Sequence, residues 1–159
     1  MITAINLSDE EELSRLWYLQ HASYKVEAQL IGFDAIPPLM DTLETLRECG
    51  EQFIGYEREG ELAGALAYSE AGDVATLCRM MVHPEHFRQG IAGQLIKAFE
   101  ERTDCSVLEV STGALNEPAI QLYRKYEYSE VGSREVAPDV WITLFSKPRR
   151  VDRVQSSAE

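Results

Sequence analysis

The stretch Val82-His83-Pro84-Glu85-His86-Phe87-Arg88-Gln89-Gly90-Ile91-Ala92-Gly93 decides how this chain is read. It follows an apolar run, Val74 to Val82, that reads as a buried strand, and Pro84 ends that run. From Gly90 onward Ile91, Leu95 and Phe99 recur at helical spacing, with Gln94, Lys97 and Glu101 on the opposite side. A helix's first turn leaves its N–H groups without intrahelical partners, and the helix dipole favours anions there. Small residues at Gly90, Ala92 and Gly93 let a bulky anion approach those amides, while Arg88 adds a fixed positive charge. The strand, turn and helix together predict a pyrophosphate site.

A second segment strengthens the reading: Leu108-Glu109-Val110-Ser111-Thr112-Gly113-Ala114-Leu115-Asn116-Glu117-Pro118-Ala119-Ile120-Gln121-Leu122-Tyr123-Arg124-Lys125-Tyr126. In this order the two segments resemble the GNAT superfamily of acyl-CoA-dependent N-acyltransferases, over about Ile2 to Lys147. The resemblance implies a mixed α/β (α+β) fold, a central sheet of six to seven strands flanked by about four helices. Its fourth and fifth strands splay apart to admit pantetheine. It implies acetyl-CoA as co-substrate, held by backbone groups of Met80, Met81 and Val82 and by Arg88, Gln89, Gly90, Ile91, Ala92, Gly93 and Asn116. Asn116 opens a helix and Tyr123, two turns on, takes the general-acid position beside the sulfur. The family loop usually begins with Gln or Arg. Matching Gly90 and Ala92 to its small positions puts Phe87 there instead.

Glu109 is the candidate general base. A carboxylate in the apolar strand Val107-Leu108-Glu109-Val110 needs a reason, because burial disfavours its charged form. Strand alternation equally allows a solvated face for Glu109, and helical spacing with Ile120 equally allows a core position for Tyr123. His83 and His86 flank Pro84 beside the loop. His21, Trp17, Tyr18 and Tyr24 share the first helix, with Phe33 just beyond, in a region that by resemblance lines the acceptor pocket. Arg124 and Lys125 read either as adenosine 3′-phosphate contacts or as a solvated helix face.

Composition sets the class. A length of 159 residues, 45% hydrophobic and 26% charged, suits one globular domain, expected over 1–147 with a flexible tail over 148–159. The net charge of −12 argues against nucleic acid as a partner. Residues 74–99 carry +2 and the remainder −14, so the anion site lies in the favourable segment. The acidic remainder either steers a cationic amine or merely keeps the protein soluble. No apolar run reaches the roughly 20 residues that span a bilayer, and no signal-peptide pattern opens the chain. Cys49, Cys78 and Cys105 lack metal-ligand spacing and read as reduced structural thiols in a cytoplasmic protein, so no metal is expected.

Along the chain, Ile2 to Asn6 reads as a strand, and Ser8 as the N-cap of a helix running to about Leu30, with Glu11 completing a capping box. A second helix is expected from Leu39 to Cys49, then a hairpin of Gln52–Arg58 and Glu61–Ser69 turning at Glu59-Gly60. Ser106 to Val110 is the expected fifth strand, and Tyr128 to Arg134 and Val140 to Phe145 the last two. The leading expectation is direct acetyl transfer to a primary amine of a small molecule or peptide. The rivals are a non-catalytic acyl-CoA-binding module and a different phosphate binder. The oligomeric state is left open, a homodimer being a common outcome on base rates.

Overall fold

The computed structural model describes residues 1–32 and 37–149. Phe33 and residues 150–159 of the expected tail lie outside the described residues. The strands are β1 (Ile2–Ala4), β2 (Gln52–Arg58), β3 (Glu61–Ala71), β4 (Val74–Val82), β5 (Val107–Gly113), β6 (Ser129–Ala137) and β7 (Val140–Pro148). They form one sheet in the order β1-β2-β3-β4-β5-β7-β6, antiparallel throughout except for β4–β5. The helices are α1 (Glu10–Ile31), α2 (Leu43–Arg47), α3 (Ile91–Arg102) and α4 (Glu117–Lys125). This is the expected mixed architecture, with seven strands and four α-helices among the described residues.

Alternation along the strands divides the apolar side chains between two cores. On one face Leu66, Leu77, Leu108 and Val110 pack with Leu95 and Phe99 of α3 and with Ile120 and Tyr123 of α4. On the other, Phe53, Ala65, Ala67 and Met81 pack with Leu13, Leu16, Leu19 and Tyr24 of α1 and with Leu46 of α2.

Local chemistry moved several boundaries. The N-cap of α1 is Asp9 rather than Ser8. Its carboxylate accepts from the N–H groups of Glu11 and Glu12, while the Ser8 N–H donates to Asn6 Oδ1. A charged acceptor at the positive end of the dipole outcompetes a hydroxyl. The expected second helix splits into a 3-10 turn, Pro37–Met40, and the short α2, because Thr42 is extended (φ −95°, ψ 173°) and caps the latter. β5 runs on to Gly113 because β7 pairs with it as far as Gly113↔Ile142. β7 reaches Pro148 rather than stopping at Phe145, and the Arg149 N–H donates to the Ser106 carbonyl at 2.7 Å. The hairpin turn is as read, with Glu59 and Gly60 both at positive φ (53° and 81°).

The feature that matters for function is the parting of β4 and β5. They pair only from Val74↔Val107 to Leu77↔Val110. Tyr68 then faces Leu77 while Ala67 faces Arg79, so Cys78 is the extra residue of a β-bulge. Side-chain phase changes there: Ala75 and Leu77 face the α3 core before it, and Met80 and Val82 after it. Beyond the bulge β4 stays with β3 and β5 stays with β7, and a gap opens between them.

Helix α3 is pressed onto β3 at Gly64, where an added Cβ would lie 2.7 Å from the Ile91 side chain and 3.1 Å from the Met81 carbonyl oxygen. That contact holds the first residue of α3 against the sheet. Gly64→Ala is therefore expected to destabilise the fold by about 1–3 kcal/mol, read as a lower urea midpoint at unchanged m-value. An unshifted midpoint would show that α3 docks without this contact.

Candidate active site

The gap opens into a cleft of about 970 Å³. Its walls come from the second half of α1, the end of β4, the loop before α3, the end of β5, the first two turns of α4 and the start of β7.

At the mouth, Gly90 stands at the N-cap of α3 with φ 78° and makes no side-chain cap, so the first amides of the helix have no capping partner. A Cβ at Gly90 would meet nothing within 4 Å, so it is the positive φ and not crowding that favours glycine there. Arg88, Gly90, Ile91, Ala92 and Gly93 all line the cleft, as does Phe87, which is 42% exposed. Gly93 is small for a second reason: a Cβ there would lie 2.9 Å from the ring carbon that carries the Tyr126 hydroxyl. Gln89 does not line the cleft; its side-chain oxygen accepts from Arg58.

Charge is distributed differently from its order in sequence. Arg79 faces α1 and is held charged, against the effect of burial, by Glu51 (2.8 Å) and Asp41 (2.7 Å), and it also donates to Gln20. Asp41 feels burial too, yet hydrogen bonds from Thr45 and Arg79 hold its carboxyl below the usual range. Lys97 lies away from the cleft on α3. Of the three cations in the basic stretch, Arg88 lines the cleft outside any ion pair among the described residues, as does Lys125 of α4. Arg124 pairs with Glu130 instead.

Along the β4 side, the Met80 N–H donates to the Tyr24 hydroxyl at 3.0 Å and the Val82 N–H to Ser23 Oγ at 3.2 Å. Both residues line the cleft, and their N–H groups are bonded outside the sheet. Met81 does not: it sits between them, opposite Ala65, its side chain fully buried on the α1 face. Antiparallel alternation turns its backbone groups to β3. The expected contribution of Met81 to cofactor binding is corrected accordingly.

Asn116 and Tyr123 come together on α4. Asn116 is the N-cap, its Oδ1 accepting from the Ala119 N–H, and its side-chain amide lies near enough to the Glu27 carboxylate of α1 to favour its charged form. Tyr123 lies one face over, its ring 5.9 Å from that of Tyr128 and 6.1 Å from that of Phe145. Burial, with the nearby Glu27 charge, pushes the Tyr123 phenol well above its ordinary value and keeps it protonated.

Glu109 is not at the site. It is exposed, faces Thr76 and Ser146 where β4 and β5 are still joined, and does not line the cleft. Alternation buries Leu108 and Val110 and turns Glu109 outward, so no desolvated base arises there. The half-buried Glu27 does line the cleft, its carboxyl pushed up by burial and partly relieved by Asn116. A signal for it exists in sequence: Leu13, Leu16, Gln20, Tyr24 and Glu27 share one helical stripe, and polar residues on a buried stripe are unusual. Cys78 also lines the cleft, but burial raises its thiol pKa, which disfavours a thiolate nucleophile. His86 lines the mouth, whereas His83 accepts from the Glu85 N–H and His21 bonds the Trp17 carbonyl. Trp17 donates to the Asp41 carbonyl, and Tyr18 is 70% exposed.

This geometry has counterparts among solved structures. The E. coli ribosomal-protein-S18-alanine N-acetyltransferase superposes with a TM-score of 0.74 at 18% identity, over 95% of this chain and 94% of that one. smu.2055 of Streptococcus mutans UA159 gives 0.77 at 16% identity, over 94% and 99%. The PaiA N-acetyltransferase of Thermoplasma acidophilum, solved with coenzyme A, gives 0.71 at 15%, over 91% and 96%. At such identities these likenesses speak to fold. By sequence, the chain is 31% identical over 128 residues to the Bacillus subtilis (strain 168) UPF0157 protein YqkA; the match covers 80% of this chain and 37% of that relative's length. No helix among the described residues is long and apolar enough to cross a membrane. Residues 10–128, from the start of α1 through the end of the α4 cap, match the acetyltransferase (GNAT) family, and the chain belongs to that family.

Proposed function

We propose that the protein transfers the acetyl group of acetyl-CoA directly to a primary amine. One observation carries the reading: the β4–β5 pairing ends at Leu77↔Val110, and the gap beyond it runs from the uncapped start of α3 to Tyr123. A diphosphate suits the uncapped start of α3 at Gly90, with Arg88 beside it. The thioester arm then lies along the gap against Met80 and Val82. The hydroxyls of Tyr24 and Ser23 that now accept from those N–H groups are exchangeable partners, because a hydroxyl released from accepting still has a proton to donate. The Val82 N–H is suited to the oxyanion that develops on the acyl carbonyl.

Chemically, an ammonium acceptor first loses a proton, and its nitrogen forms a C–N bond to the acyl carbon. The C–S bond breaks as the adduct collapses. Tyr123 protonates the departing sulfur and recovers its proton from the second one that the nitrogen sheds. A phenol held protonated by burial suits this role, and the surroundings of Cys78 do not favour a covalent acyl-enzyme.

Two measurements test the reading. Tyr123→Phe should lower turnover by roughly 10²–10⁴-fold in a thiol-release assay with little change in coenzyme A affinity; unaltered turnover removes Tyr123 from the chemistry. Arg88→Ala should weaken coenzyme A about tenfold or more by calorimetry, as expected for loss of a charge-assisted contact. Affinity for acetyl-pantetheine, which lacks the diphosphate, should stay as it was. Equal losses for both ligands would place the diphosphate elsewhere.

A further inference from the structure

The lining of the cleft is uneven in charge. Three carboxylates belong to it: Glu27, Asp41 and Glu51. Asp41 and Glu51 are both committed to Arg79. Among the described residues Glu27 has no salt-bridge partner, and the polar group that acts on it is the neutral side chain of Asn116.

From Asn116 the wall can be followed bond by bond. The Asn116 N–H donates to the Gly113 carbonyl, Gly113 pairs with Ile142, and the Ala114 N–H donates to the Trp141 carbonyl at 2.8 Å. The first three residues of β7 therefore begin beside the residue that acts on Glu27. There the lining turns apolar: Val140, Trp141 and Ile142, Val136 of β6, and Leu30 of α1 across the cleft. Trp141 is 47% exposed, Val136 50% and Leu30 46%, so this apolar surface faces open space rather than filling a core.

Resting on the acyl-transfer reading above, we propose that Glu27 receives the acceptor's ammonium group and takes its first proton. The acceptor is a primary amine bearing a single charge on an apolar body, which lies against Leu30, Val136 and Trp141. One uncompensated carboxylate matches one ammonium. A polyamine or aminoglycoside would have to bury its further charges against apolar surface, which is costly. In the transfer, the ammonium N–H bond breaks toward the Glu27 carboxylate, the C–N bond forms, and Glu27 returns its proton to water after product leaves.

The groups that face Glu27 fix the pH behaviour. Tyr24 on its own helix and Tyr123 on α4 both have pKa values driven far up by burial and by Glu27 itself, so they stay neutral through the working range. Arg79 of β4 is neutralised by its two acids, and Asn116 does not titrate. The acidic limb of kcat/KM is thus assigned to Glu27, and burial places it above the ordinary carboxylate range.

The test is thiol release from acetyl-CoA by the full-length protein with ethylamine, phenethylamine, hexylamine, spermidine and kanamycin. The wild-type protein should prefer phenethylamine and hexylamine. Glu27→Gln should cut kcat/KM for them about 100-fold or more and remove the acidic limb, with coenzyme A affinity and melting temperature retained. Trp141→Ala should raise KM for phenethylamine about tenfold while leaving ethylamine unchanged. Preference for spermidine or kanamycin, or an intact acidic limb in Glu27→Gln, overturns this inference and leaves acyl transfer standing. Coenzyme A binding without thiol release for any amine overturns the acyl-transfer reading and this inference with it.

Discussion

Breaking a parallel strand pair inside a protein is expensive, because each freed backbone group needs a partner. β4 and β5 separate at the Cys78 bulge, and the rest of the molecule is arranged around the consequences. On the β4 side the freed N–H groups of Met80 and Val82 are met by hydroxyls from α1. On the β5 side the strand is kept straight by seven residues of pairing with β7. The long first helix therefore has two tasks, covering one apolar face of the sheet and satisfying an interior edge. Ser23 and Tyr24 perform the second and Leu13, Leu16 and Leu19 the first.

Polar contacts then brace each side of the gap separately. Arg79 ties β4 to α1 through Gln20, to the segment before α2 through Asp41, and to the start of β2 through Glu51. On the other face Lys147 of β7 binds Glu100 of α3 and the Tyr126 carbonyl at the end of α4. Each network is largely buried and each joins elements distant in sequence, so breaking either leaves uncompensated charge in the interior. Such networks suit a cleft that must keep its width while ligands enter and leave. They also consume much of the charge near it, and among the described residues that line the cleft Arg88, Lys125 and Glu27 are left outside any ion pair.

Sequence patterns gave access to the frame and to one end of the site. The β2–β3 hairpin, the β4 run, the Gly90-led start of α3 and the Asn116 cap of α4 are all local: a turn, a period, or a residue whose side chain bonds three positions on. Asp9 replaced Ser8 as a cap because two acceptors stood side by side and spacing could not rank them. Glu109 failed for a different reason. A carboxylate in an apolar strand reads the same whether it faces a cleft or open water, and the face depends on which neighbour the strand keeps.

Short-range sterics and periodicity were thus enough to read most elements, their order, the glycine-led start of α3 and the tyrosine two turns into α4. Where two strands part, which backbone groups leave the ladder, and which cleft acid stands outside an ion pair are settled by packing alone. Glu27 and Asn116 stand 89 positions apart in the chain, and Arg79 and Gln20 stand 59 apart. No local pattern records that they meet, because their encounter depends on how α1 packs across the sheet and not on any propensity of the residues themselves.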